Sequence, residues 1–132
     1  MAPEIDARGI LVVDDEPQLL RLLGRVLERS GYHVLSAKDG DEALAVFEKS
    51  SDEIDVAVLD VLIPPQGVGE ILPVMLSGRA ELGVVLVSGD LLDDVVREQL
   101  DACRGTFLRK PFAPGALLRA VREVASSARN EP

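Results

Sequence analysis

Cysteine occurs once in this chain, at Cys103, so no intrachain disulfide can form and the sequence fits a reducing compartment. Positive charge is also scarce: 14 lysines and arginines stand against 23 acids, a formal net charge of −9 at pH 7. Such a surface repels nucleic-acid phosphates and anionic lipid, and no Lys/Arg stripe offsets it, so neither nucleic acid nor membrane is expected as a partner. Long apolar runs are missing too. The longest are strand-sized, too short to span a bilayer. No basic segment followed by an apolar stretch opens the sequence as a signal peptide would. The expectation is a soluble, cytoplasmic protein. Repeats, low-complexity tracts and linkers are absent, and no glycine fingerprint for a dinucleotide follows the first apolar run. What remains is 132 residues, 47% of them apolar, enough for one domain with a real core and no need of a structural metal.

Short apolar runs alternate with amphipathic stretches. Ile10 to Val13 reads as a buried strand, closed by Asp14-Asp15-Glu16-Pro17. Pro17 suits a first helical turn, and Leu19, Leu22, Leu23, Val26 and Leu27 recur behind it at helical spacing until Ser30-Gly31. His33 to Ala37 is a second strand, followed by a helix carrying Ala43, Leu44, Val46 and Phe47. Val56 to Leu59 is continuously apolar, as in a strand buried on both faces, and ends at Asp60. A Pro/Gly-rich loop, Pro64 to Gly69, leads into a short helix over about Glu70 to Leu76, with Pro73 near its first turn. Gly83 to Val87 and Thr106 to Arg109 are the last strands. A helix over Leu91 to Cys103 lies between them, with Leu92, Val95, Val96, Leu100 and Cys103 turned inward. A final helix covers Pro114 to Ala128, and Asn130 to Pro132 should fray. Five strand–helix units with short connections predict an α/β, flavodoxin-like three-layer sandwich. Its five-stranded parallel sheet takes the order 2-1-3-4-5.

Four polar elements directly follow four different strands: Asp14-Asp15, Asp60, Ser88 and Lys110. In a doubly wound sheet the C-terminal strand ends share one edge, where ligands bind, so residues far apart in the chain converge there. Crowded carboxylates repel one another, and a hard divalent cation relieves the repulsion. Mg²⁺ takes oxygen ligands and often shares substrate phosphate. Asp60, on the central strand, is placed to be a nucleophile that forms an aspartyl-phosphate. Lys110 adds positive charge for the phosphoryl oxygens, Ser88 a hydroxyl donor, and Gly89 keeps bulk from the approach path. Asp14 and Asp15 taken alone could equally be acids at a helix start, and Asp60 alone a turn residue.

The runs LVVDDEP, VLDVLIP, VLVSGD and FLRKPF, in that order, resemble the response-regulator receiver domain of bacterial two-component signalling over nearly the whole chain. The resemblance implies a single receiver domain over 1–132, with its core at about 9–126 and no effector domain in this sequence. It implies that Asp60 is the phosphoacceptor and Asp15 a direct Mg²⁺ ligand, with Asp14 beside it and the Leu62 backbone carbonyl completing the set. Ser88 then corresponds to the switch hydroxyl, Lys110 to the phosphate-binding lysine, Phe107 to the switch aromatic, and Lys110-Pro111 to a cis peptide. The implied partner is a histidine kinase or histidine phosphotransfer domain, meeting the first helix and the loop after strand 5. The implied protein is a monomer or weak dimer. It would catalyse its own phosphorylation and slow dephosphorylation without being a metabolic enzyme.

Some positions depart from the family pattern. Gly67-Val68-Gly69 stands where Asp-Gly is common, Pro64-Pro65 stiffens the start of that loop, and Ser88-Gly89 replaces the commoner Thr-Ala. Phe107 lacks the hydroxyl a tyrosine would offer, and Ala113 has no side chain to cap the last helix. Leu20 and Gly24 sit off the main stripe of the first helix and form a candidate docking patch. The resemblance also implies that Leu62 and Asp90 flank the site where water would approach the phosphate. Two alternatives stand beside this reading. A haloacid-dehalogenase-like hydrolase needs an acid two residues after its nucleophile, where this chain has Leu62. A phosphorylation-independent docking module with a vestigial pocket has no use for the complete acid set.

Overall fold

The computed structural model describes residues 8–129, so the expected fraying of 130–132 lies outside the described residues. The sheet is built from β1 (Gly9–Val13), β2 (His33–Ala37), β3 (Ile54–Asp60), β4 (Gly83–Ser88) and β5 (Arg104–Arg109). All neighbours are parallel and the order is β2-β1-β3-β4-β5, as the alternation of elements predicts. The helices are α1 (Pro17–Arg29), α2 (Gly40–Ser50), α3 (Val68–Gly78), α4 (Asp94–Asp101) and α5 (Pro114–Arg129), with one 3-10 turn at Ser51–Glu53. Among the described residues, no helix is long and apolar enough to cross a membrane.

Strand alternation sorts the core into two layers. Val56 and Val58 of β3 face α1 and α5, together with Ile10, Leu27 and Val121. Ala57 and Leu59 face α2, α3 and α4, among Phe47, Ile71, Met75 and Val96. A strand buried on both sides has no polar face, which is why its sequence reads as an unbroken apolar run. Helix ends follow local chemistry. Gly31, at φ +96°, closes α1: its N–H bonds to the Glu28 carbonyl and that of Tyr32 to Leu27. Asp39 caps α2 by accepting from the Glu42 N–H at 2.8 Å, while Glu42 reaches back to the Lys38 N–H at 2.7 Å. Gly9 is demanded by packing, since a Cβ there would collide with the Glu53 carbonyl.

Several elements differ from the sequence expectation. α3 begins at Val68, so Pro73 falls inside the helix and not in its first turn. The β3–α3 loop supplies the reason: Gly67 takes φ +87° and the Val68 N–H bonds back to Val61, which turns the chain into the helix early. α4 is shorter than expected, because Asp93 caps it by accepting from the Val96 N–H at 2.9 Å and residues 91–93 stay outside. Val95 and Leu22, both expected inward, are 63% and 54% exposed. Each neighbours a residue that already fills the core contact, Val96 and Leu23.

Candidate functional site

The register of the sheet brings the polar elements together. Val13 lies opposite Leu59, and Asp60 opposite Val87. Ser88 lies opposite Arg109, so Lys110 begins one step beyond the same rim. Asp14 and Asp15 therefore lie beside Asp60, and Lys110 reaches in from the far side of Ser88. Backbone bonds pin the arrangement: Asp14 N–H to the Ala37 carbonyl, Val61 N–H to Val87, and Lys110 N–H to Ser88.

The Lys110 ammonium lies 3.2 Å from Asp60 Oδ2 and 3.6 Å from Asp14 Oδ2. Asp60 Oδ1 accepts from the Leu62 N–H at 3.0 Å, and Asp14 Oδ1 from the Glu16 N–H at 2.9 Å. Asp14 and Asp60 are buried and Asp15 is exposed. Burial pushes the Asp14 carboxyl above the usual aspartate range. The Glu16 N–H and Lys110 oppose that rise, and the Asp60 and Asp15 charges reinforce it. For Lys110, burial works against the ammonium, but Asp60 and Asp14 outweigh it and its pKa is raised. The lysine stays charged and the carboxylates remain under-neutralised.

Asp14, Asp15 and Asp60 each offer an oxygen, and these atoms all lie within 4.8 Å of one another. A hard ion with oxygen ligands at about 2.1 Å can draw such a set together. Among the described residues no nitrogen or sulfur donor joins the cluster, so the donor chemistry fits a hard divalent cation. The β3–α3 loop after the acceptor is braced on α2. The Gly40 N–H donates to the Pro64 carbonyl at 2.7 Å, and Gln66 Nε2 to Asp41 Oδ1 at 2.6 Å.

Residues 10–122 match the family described as "Response regulator receiver domain". The chain belongs to that family. This receiver domain is 33% identical over 119 residues to the alkaline phosphatase synthesis transcriptional regulatory protein PhoP of Bacillus subtilis, covering 89% of this chain and 48% of that one. It is 32% identical over 128 residues to the probable transcriptional regulator ycf27 of Cyanophora paradoxa, covering 96% and 52%. It thus spans about half the length of these curated relatives. Among solved structures, a CheY-like receiver domain protein from Methanospirillum hungatei superposes with a TM-score of 0.86 at 26% identity, covering 96% of this chain and 100% of that one. Response regulators of this family work in two-component systems with histidine kinases and downstream partners.

The remaining expected site residues of the receiver domain take these places. Ser88 is buried at the end of β4, and its Oγ accepts from the Asp90 N–H at 3.0 Å, so the hydroxyl is turned onto its own loop. A Cβ at Gly89 would meet nothing within 4 Å, so no neighbouring wall demands a glycine. Phe107 is half-buried and packs against the α2–α3–α4 core. The Lys110–Pro111 peptide is cis, as the resemblance implies, and Pro64–Pro65 is cis as well. Leu62 reaches the acceptor through its N–H, while its side chain is 74% exposed.

Beside the site lies an apolar cleft of about 240 Å³ between α1 and the start of α5, lined by Leu19, Leu22, Val26, Pro111, Phe112 and Leu117. Leu20 and Gly24, the expected docking patch, line a separate shallow groove between α1 and β2. Gly24 is buried, and both residues turn toward Val34 of the edge strand β2. The sequence signal for the apolar cleft is an apolar set on α1 too wide for one core-facing stripe, with Leu22 left over.

Proposed function

We propose that this chain is the phosphoacceptor of a two-component phosphorelay, taking a phosphoryl group on Asp60 from a phosphohistidine of a histidine kinase or histidine phosphotransfer domain. The observation that carries the reading is the Lys110 ammonium 3.2 Å from Asp60 Oδ2, at the edge of a three-carboxylate cluster. In the transfer, an Asp60 carboxylate oxygen attacks phosphorus, the P–O bond forms, the N–P bond breaks, and the imidazole leaves with the electron pair. Lys110 holds the equatorial oxygens through charge-assisted hydrogen bonds. The Leu62 N–H, already on Asp60 Oδ1, orients the carboxylate.

Asp14, Asp15, Asp60 and the Leu62 carbonyl would hold Mg²⁺. When bound, the ion neutralises charge on the phosphoryl oxygens and on the carboxylates themselves. Ser88 gives up its contact with the Asp90 N–H and turns to donate to the phosphoryl group, with Phe107 repacking behind it; this shifts an existing equilibrium that partners read. The phosphodonor docks on the apolar cleft beside Pro111, where Leu22 is an exposed part of the lining. The chain catalyses only its own phosphorylation and slow dephosphorylation. Acetyl phosphate with Mg²⁺ should load wild type and leave Asp60→Asn unmodified, and loading of both would refute the assignment.

A further inference from the structure

Pro73, inside α3, has no N–H to give to the carbonyl four residues earlier, that of Gly69. That carbonyl would be left without a helical partner in the first turn of α3. It is met from another helix: Gln99 Nε2 of α4 donates to the Gly69 oxygen at 3.1 Å. The two helices also touch here, since a Cβ at Gly69 would lie 3.8 Å from Val96 Cγ2. A backbone bond that would be internal to α3 is thus replaced by a bond between α3 and α4.

Gly69 follows directly on the loop that begins at Asp60. The loop's last turns are tied back by the Gly67 N–H to Ile63 and the Val68 N–H to Val61. A movement of the loop around the acceptor therefore moves a carbonyl to which α4 is fastened. The fastening is weak by construction. Gln99 Oε1 is buried and has no hydrogen-bond partner among the described residues. Closing the bond leaves one half of the amide unpaired, and opening it lets the amide hydrate while the Gly69 carbonyl loses its partner. The unpaired oxygen offsets part of what the bond contributes, which makes a contact that a modest displacement can open. α4 is also the shortest of the five helices, inserting only Val96 and Leu100 fully into the core.

We propose that Gln99 is a positioning residue, a latch created by Pro73, through which the state of the acceptor loop is passed to α4. The link to phosphorylation rests on the function proposed above; the latch itself does not.

The test is a double-mutant cycle on the full chain, read by amide hydrogen exchange of 94–101 with and without acetyl phosphate and Mg²⁺. The variants are Gln99→Leu, Pro73→Ala and the pair. Pro73 is exposed, so alanine there is tolerated while restoring a backbone N–H at 73 that can donate to the Gly69 carbonyl. Without acetyl phosphate, Gln99→Leu should speed α4 exchange about threefold to tenfold, the worth of one neutral hydrogen bond. In the Pro73→Ala background the same change should have an effect of less than about twofold, because the carbonyl is already satisfied. Phosphorylation should alter α4 exchange in wild type, and this response should fall to about half or less in Gln99→Leu. Equal effects of Gln99→Leu in both backgrounds would overturn the latch, as would unchanged exchange. If acetyl phosphate modifies no variant, the phosphoacceptor reading fails, and the arm without acetyl phosphate still decides the latch.

Discussion

Lys110 Nζ lies 3.2 Å from Asp60 Oδ2 although fifty positions separate the two residues, and the same ammonium lies 3.6 Å from Asp14. One cation thus serves two buried carboxylates that also repel each other. Lys110→Ala leaves both without a counter-charge. It should lower stability by about 1–2 kcal/mol in urea denaturation and slow phosphoryl uptake from acetyl phosphate on the order of 100-fold. Adding Asp14→Asn should return most of the stability and none of the uptake.

Asp14 titrates from an unfavourable place. Its pKa is raised by burial first and then by the Asp60 and Asp15 charges. A raised carboxyl contributes stability that is complete below the unfolded value of 3.8 and is lost as pH rises through the folded value. At neutral pH the metal-free protein therefore carries this cost in full. Asp14→Asn should raise its melting temperature by on the order of 2–4 °C and remove the loss of stability across that acidic window. A lower melting temperature for Asp14→Asn in EDTA would contradict this.

Metal addition should act with the opposite sign on the same cluster. At a hundredfold excess over Kd, Mg²⁺ should stabilise wild type by about 2.7 kcal/mol. Asp15→Asn should lose most of that gain and EDTA should reverse it, as followed by thermal unfolding.

Docking and chemistry separate at Leu22. This residue is 54% exposed on the cleft beside Pro111, so Leu22→Glu should change stability by less than about 0.5 kcal/mol. Phosphotransfer from a histidine kinase that loads wild type should slow about 10-fold, since one exposed apolar anchor is replaced by charge. Loading by acetyl phosphate should be unaffected. Parallel losses with both donors would place the defect in the site and not in docking.

Gly9→Ala tests the far end of the sheet. Its Cβ would be driven into the Glu53 carbonyl, where backbone cannot yield as a side-chain tip can. A loss of about 3 kcal/mol is expected in urea denaturation, with the site chemistry intact in the folded fraction.

The sheet order and the rim were legible because both follow from pattern: apolar runs of strand length, each ended by a polar residue, can bring those residues together in few ways. β2 has the bounds its residues suggest, and α1 starts at Pro17 as expected. What was not legible depends on neighbours distant in sequence. Periodicity assigned Leu22 and Val95 to the core, but the positions beside them, Leu23 and Val96, fill it. Pro73 reads as a helix-start signal only if its missing bond cannot be made good, and Gln99 makes it good from another helix. The place of Ser88 at the rim, at the end of β4, follows from the apolar run before it. That its hydroxyl is turned onto the Asp90 N–H is a matter of loop geometry that no spacing reveals.

Intact-mass spectrometry after incubation with acetyl phosphate and Mg²⁺ addresses the acceptor itself. Wild type should gain the mass of one phosphoryl group, mapped to Asp60 and lost on mild base treatment, while Asp60→Asn gains nothing. A phosphoryl group on Asp60→Asn, or one on wild type mapped away from the rim where Asp14, Asp60 and Lys110 meet, would show that this carboxylate is not the acceptor.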